Sequence, residues 1–178
     1  MIDAGPFDTL VHGVGPLAVK RFDRLTERDY REVFDGNLRS AVTATRAVLP
    51  AMQSAAFGRI VFFAMLGSNE TRPFPGFAFY QAAKSALVAF ARCLALEQAR
   101  HGITVNLVAP GDIRDKSLTL DEAYARSARN PRGRPGTAAD VAAAVRFLVA
   151  RERDFVTGAI LDVNGGATQA DERNEPPS

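Results

Sequence analysis

The sequence predicts an α/β fold in which a parallel sheet is flanked by helices, and three observations carry that prediction. Four short runs rich in β-branched and aromatic residues recur along the chain, at Thr9-Leu10-Val11, Ile60 to Phe63, Ile103 to Val108 and Ala159 to Val163. Three of them are almost continuously apolar, as strands covered on both faces must be. Between them lie segments whose apolar residues recur at spacings of three and four, so strand and helix alternate as in a parallel α/β layer.

The elements follow in order. After the first run, Thr26-Glu27-Arg28-Asp29 has the Thr-x-x-Asp form of a capping box and marks a helix start. Leu38, Val42, Thr45, Leu49 and Met52 form one stripe of a helix placed at 37–53, which leads into the second strand. Ala83, Leu87, Phe90 and Leu94 form the stripe of a second long helix at 77–100, and Gly102 is placed to end it in the left-handed conformation. Pro110-Gly111 stops the third strand. Residues 112–136 read as a loop or lid with one short helix near Leu120 to Ser127. Thr137-Ala138-Ala139-Asp140 opens a third helix with Val141, Val145 and Leu148 on one face, and the fourth strand follows. Residues 1–170 are expected to form a single domain, and the polar stretch Asp171 to Ser178, with two prolines, a disordered tail. Right-handed crossovers place the first two long helices on the same face of the sheet. Ligands of such sheets sit beyond the carboxyl ends of the strands, so the segments after Val11, Phe63 and Val108 should surround one crevice.

Composition agrees with one globular unit. The chain has 178 residues, 47% apolar and 24% charged, which excludes collagen-like, coiled-coil and disordered polymers. Its longest uncharged stretch, Ala47 to Gly58, contains Pro50 and is far short of the roughly 20 apolar residues a membrane span needs. The N-terminus has neither the basic nor the apolar region of a signal peptide, and lone Cys93 fits a reducing cytoplasm, where it reads as a small helix residue. Net charge is +2 with both signs well mixed, so neither nucleic acid nor a membrane is an expected partner, and no metal site is expected. Arg126, Arg129, Arg132 and Arg134 read as a solvated loop.

The chemistry is concentrated at Tyr80-Gln81-Ala82-Ala83-Lys84. A phenol and an ammonium four residues apart share one helix face, and a cation beside a phenol favours phenolate and lowers its pKa. A tyrosine so tuned can give or take a proton at a carbonyl or alcohol oxygen. The plainer alternative is a half-buried tyrosine beside a solvated lysine.

The pair stands within an ordered series. Phe34-Asp35-Gly36-Asn37-Leu38, Gly58-Arg59-Ile60-Val61, Tyr80-x-x-x-Lys84, His101-Gly102-Ile103-Thr104-Val105-Asn106 and Pro110-Gly111 come first. Arg134-x-Gly136-Thr137-x-x-Asp140-Val141-Ala142, Phe147-Leu148, Thr157-Gly158 and Val163-Asn164-Gly165-Gly166 follow. This series resembles the classical short-chain dehydrogenase/reductase family, and within it the β-oxoacyl-carrier-protein reductase type, from about Asp8 to Thr168. The resemblance implies a Rossmann-like parallel sheet, an NAD or NADP cofactor, and hydride transfer to a carbonyl carbon of a 3-oxoacyl compound or similar ketone. It makes Tyr80 the proton donor, while Lys84 lowers the phenol pKa and holds the nicotinamide ribose. Asn37 takes the proton-relay position, and Pro110, Gly111 and Ile113 lie along the nicotinamide. Without the resemblance, Asn37 reads as a helix-start residue and Pro110-Gly111 as a turn.

The series also departs from the family pattern. No Gly-x-x-x-Gly-x-Gly is present, and the first strand resembles the family's fourth, so the expected architecture is an N-terminally truncated Rossmann-like sheet of about four strands. His12-Gly13-Val14-Gly15 stands where the family has Asn-Asn-Ala-Gly, which makes His12 a strand-end substitution rather than a catalytic base. For the active-site serine, counting forward from Gly58 reaches Met65, while counting back from Tyr80 comes nearer Ser68, the candidate substitute. Asp115 replaces a threonine that follows Pro-Gly in the family. Two readings compete: an NAD(P)-dependent ketoreductase, and a non-catalytic subunit assembling with a complete relative. The helices at 37–53 and 77–100 match the family's assembly surfaces, which implies a homo-oligomer or hetero-oligomer. An uncovered first strand implies that the chain alone is not a well-behaved monomer.

Overall fold

In a computed structural model, residues 6–113 and 115–167 are described. Strand β1 is Thr9–His12, followed by helix α1 (Glu27–Phe34), a π-turn at Asp35–Arg39 and helix α2 (Ser40–Ser54). Strand β2 (Gly58–Phe63), helix α3 (Ala78–Gln98) and strand β3 (Ile103–Pro110) come next. The short helix α4 (Leu120–Tyr124), helix α5 (Ala138–Val149) and strand β4 (Ile160–Val163) complete the order. The four strands lie side by side in chain order and are all parallel, with Leu10 beside Ile60, Ile60 beside Val105 and Leu107 beside Ile160. The expected four-stranded parallel sheet is therefore present, each strand within two residues of its predicted ends.

Burial explains the near-continuous apolar runs. Ile60 and Phe62 of β2 and Ile103, Val105 and Leu107 of β3 face α2 and α3, packing on Met52, Leu87, Ala91 and Leu94. The intervening Val61 and Val108 face the other side, against Ala144 and Leu148 of α5. The two long helices thus share one face, as right-handed crossovers require. At the edge, β1 pairs on one side only among the described residues, and Val11 remains 44% exposed.

The caps follow the predicted chemistry. Thr26 and Thr137 each close a reciprocal capping box, with Asp29 and Asp140, and Thr119 with Glu122 forms a third that sequence reading passed over. Gly102 has φ of +68°, and a Cβ there would lie 2.4 Å from the Ala56 carbonyl oxygen, so both conformation and space demand glycine.

Three expectations are corrected. The helix placed at 37–53 is joined through the π-turn to the helix that starts after Thr26, so Asn37 lies inside a helix rather than starting one. The short lid helix ends at Tyr124 instead of Ser127. Arg134 is not solvated: it makes a bidentate ion pair with Asp140, with its side chain 14% exposed. The predicted tail at 171–178 lies outside the described residues.

Candidate active site

The site forms where the segments after β1 and β2 meet the first turns of α3. Lys84 sits on the inner face of α3, only 2% exposed, and its Nζ donates to the Phe63 carbonyl oxygen at 2.6 Å, at the end of β2. That bond uses one of three N–H groups and leaves two for a ligand. The ammonium also lies 5.5 Å from the centre of the Tyr80 ring, over its face.

Asn37 is fully buried and is held by its own amide. Its Nδ2 donates to the Val33 carbonyl at 2.8 Å and to the Pro16 carbonyl at 2.9 Å. The second bond is a tertiary one, to the loop after β1. Taking the Val33 carbonyl, four residues back, competes with regular helical bonding, and the helix widens into the π-turn at this point. The other end of the amide, Oδ1, is buried with no partner. A Cβ on Gly15 would meet Asn37 Oδ1 at 2.8 Å and Lys84 Nζ at 3.1 Å, so the unpaired acceptor and the spare donors face one small space beside Gly15.

Electrostatics partly reverse the expectation. Burial pushes the Tyr80 phenol up from its ordinary pKa, and burial pulls the Lys84 ammonium down to about 8. Spacing alone suggests that Lys84 lowers the phenol. Instead the ammonium is turned to the Phe63 carbonyl, and desolvation dominates at both groups. The plainer reading of a solvated lysine also fails, because Lys84 is among the most buried polar residues of the chain.

The remaining candidates bond to or pack on other partners. Ser68 is folded into its own turn, where its Oγ accepts from the Met65 amide at 3.0 Å and its amide donates to the Met65 carbonyl at 3.1 Å. The two positions reached by counting are thus hydrogen-bonded to each other. Pro110 and Gly111 end β3 on the far side, where the Gly111 amide donates to the Val163 carbonyl, and a Cβ on Gly111 would strike Asn164 at 2.7 Å. Ile113 packs so closely on Gly136 that a Cβ there would lie 2.3 Å from its Cδ1. It helps line a cleft of about 470 Å³ with Arg134, Asp162 and Asn164, beneath the lid. Asp115 binds Ser117 and Arg126 rather than turning inward. Sequence reasoning missed two contributors: the Phe63 carbonyl, which has no side-chain signature, and Gly15, whose signal was the glycine at the same place in the Asn-Asn-Ala-Gly pattern it resembles.

With fold and geometry in place, comparison with known proteins assigns the class. The family model described as Enoyl-(Acyl carrier protein) reductase matches residues 2–168. The chain belongs to the short-chain dehydrogenase/reductase family and is similar to 3-oxoacyl-acyl-carrier-protein reductases. It is 38% identical to the 3-oxoacyl-[acyl-carrier-protein] reductase FabG of Haemophilus influenzae over 168 residues, covering 92% of this chain and 68% of FabG. The reductase MabA of Mycobacterium avium is 36% identical, over 91% of this chain and 64% of MabA. Among solved structures, gluconate 5-dehydrogenase from Burkholderia cenocepacia, in complex with NADP and tartrate, superposes with a TM-score of 0.82 at 28% identity. That match covers 95% of this chain and 68% of the dehydrogenase. The chain spans about two thirds of the length of these relatives. Among the described residues, no helix is long and apolar enough to cross a membrane.

Proposed function

We propose that this chain carries the acid–base half of an NAD(P)-dependent carbonyl reductase acting on a 3-oxoacyl compound or similar ketone, with Tyr80 as proton donor. The observation that carries the reading is the Lys84 ammonium, buried beside the Tyr80 ring with two unused donors facing the orphaned Asn37 Oδ1. A structural lysine would be either solvated or saturated, and this one is neither.

The residues present fit one end of a nicotinamide nucleotide. The spare Lys84 donors, Asn37 Oδ1 and the open space at Gly15 suit the hydroxyl groups of its ribose. Pro110, Gly111 and Ile113 are the candidates to line the nicotinamide. The 178 residues hold no Gly-x-x-x-Gly-x-Gly to cradle a pyrophosphate. When bound, such a cofactor supplies the hydride.

The chain's own residues then handle the proton. A phenol whose pKa is raised by burial stays protonated through the neutral range, which suits Tyr80 Oη for donation to a carbonyl oxygen as negative charge develops there. Lys84, charged below about pH 8, stabilises the phenolate left behind. Asn37 Oδ1 holds a water or hydroxyl that returns a proton towards Lys84. Ser68 contributes to the oxyanion only if its hydroxyl leaves the Met65 amide.

The second reading, a non-catalytic subunit paired with a complete relative in the cytoplasm, is favoured by one feature. The β1 edge and the loop after it expose Val11, Val14, Leu17, Val19 and Phe22. Assembly through α2 and α3 belongs to either reading. Calorimetric titration of this chain with NADPH and NADH decides between them. Micromolar binding that Lys84→Met abolishes supports the reductase; no binding by the wild-type chain overturns it for this chain.

A further inference from the structure

The catalytic reading leaves His12 without a task, yet its ring is buried at the end of β1, 6% exposed. We propose that His12 is a positioning residue: through Ser40 it ties the end of β1 to the π-turn and so holds Asn37 Oδ1 against Lys84. The inference rests on Asn37 and Lys84 being the site residues named above.

His12 Nε2 lies 2.9 Å from Ser40 Oγ, and Ser40 Oγ is in turn bonded to the Gly36 carbonyl oxygen, one residue before Asn37. A carbonyl can only accept, so the single hydroxyl hydrogen of Ser40 points to Gly36. Ser40 can therefore only accept from the ring, and His12 must carry a hydrogen on Nε2. The other ring nitrogen, Nδ1, is buried with no partner, as expected of a bare lone pair. Protonating it would add a second buried cation in the field of Lys84. Burial first and the Lys84 charge second hold the imidazole below its ordinary pKa, outweighing its own backbone, which favours the charged form. Ser40 of α2 and the Phe62 ring of β2, at 6.1 Å and edge to face, also pack on the ring, and both are uncharged. A neutral Nε2–H imidazole is the form that the tie requires.

The tie acts on the right element. The π-turn is fastened by Asn37 Nδ2 to the Val33 and Pro16 carbonyls, but neither bond fixes its carboxyl-terminal side. Ser40 follows the π-turn directly, and β1 is the rigid neighbour that reaches it. A π-turn is a local departure from helical bonding that relaxes unless its environment holds it.

The test needs no turnover. In a ¹⁵N-labelled chain, ring nitrogen shifts give the His12 tautomer, and exchange of the Asn37 side-chain amide reports how firmly the π-turn is held. His12→Leu removes the donor; His12→Gln restores one, because its Nε2 reaches about as far as the imidazole; Ser40→Ala removes the acceptor. The expected result is an Nε2–H tautomer and Asn37 exchange accelerated at least about tenfold in His12→Leu and Ser40→Ala, but near wild type in His12→Gln. An Nδ1–H tautomer, or unchanged Asn37 exchange in Ser40→Ala, overturns the proposal. If His12→Leu fails to fold, the wild-type tautomer, Ser40→Ala and His12→Gln still decide. NADPH titration of the same samples separates the two ideas: a wild-type chain that binds no cofactor loses the proposed function, while the Asn37 readout still judges His12.

Discussion

Arg59 and Lys84 are both buried cations, 1% and 2% exposed, at opposite ends of the same sheet. Arg59 lies at the start of β2 and is fastened to the main chain by three hydrogen bonds, with only its Nε buried and unpaired. Its guanidinium donates to the carbonyls of Gly58, Gly102 and Arg151 at 2.8, 3.2 and 3.0 Å and stacks on the Phe57 ring at 4.3 Å. Lys84 meets the other end of β2 with a single hydrogen bond and a ring face. Burial disfavours the charged form of each. The difference lies in what remains unused. A cation with most of its donors spent on three separate stretches of main chain clasps the chain, whereas one buried with most of its donors to spare is poised for something that arrives. The end proposed as functional is the carboxyl end of the strands, where open parallel sheets bind their ligands.

The contrast can be broken by substitution, beginning with the largest effect. Tyr80→Phe keeps the ring and removes the proton. NADPH-dependent reduction of a 3-oxoacyl thioester should fall by about 10²–10⁴-fold with thermal stability unchanged, and undiminished turnover would remove Tyr80 from the chemistry. Arg59→Met removes the guanidinium bonds to the Gly58, Gly102 and Arg151 carbonyls, and should cost about 3–5 kcal/mol in denaturant unfolding. A loss below about 1 kcal/mol would show that water replaces the guanidinium there.

Lys84→Met should act in the opposite direction on stability. It removes a desolvated charge of low saturation, and is expected to stabilise the fold by about 1–3 kcal/mol while abolishing cofactor binding. Destabilisation would mean that the ammonium is as structural as Arg59. The pH dependence sharpens the same point. The folded pKa of about 8 lies below the unfolded value near 10.4, so the unfolded chain binds more protons between them. The Lys84 contribution to stability is thus fully present above the unfolded value and is lost as pH falls through about 8. Turnover that needs the charged lysine should decline as pH rises through about 8. A stability profile flat across that interval in the wild-type chain, or identical in Lys84→Met, would contradict the assignment. The smallest effect is expected at the edge strand. Val11→Lys should reduce self-association in light scattering with little change in folding, and a wild-type chain already monomeric would show that the exposed apolar row needs no cover.

Much of this architecture could be read from the chain. Apolar runs located four parallel strands because β2 and β3 are covered on both faces, and Thr-x-x-Asp located two helix starts because its chemistry is entirely local. The Tyr80 and Lys84 spacing located the proposed site, since residues four apart must share a helix face. The start of the second helix was misplaced at Asn37 because what shapes the chain there is a bond to the Pro16 carbonyl, 21 residues away.

The sequence by itself determined which groups are present, their order, and which of them a helix or strand must bring to one side. Only the tertiary structure decided their state: that Lys84 is buried and turned to a main-chain carbonyl, that burial raises the Tyr80 phenol rather than the lysine lowering it, that Asn37 Oδ1 is left unpaired, and that Ser68 is tied to Met65. Spacing controls proximity within one element, whereas desolvation and hydrogen-bond saturation depend on what other elements place around a group, and no local pattern encodes that.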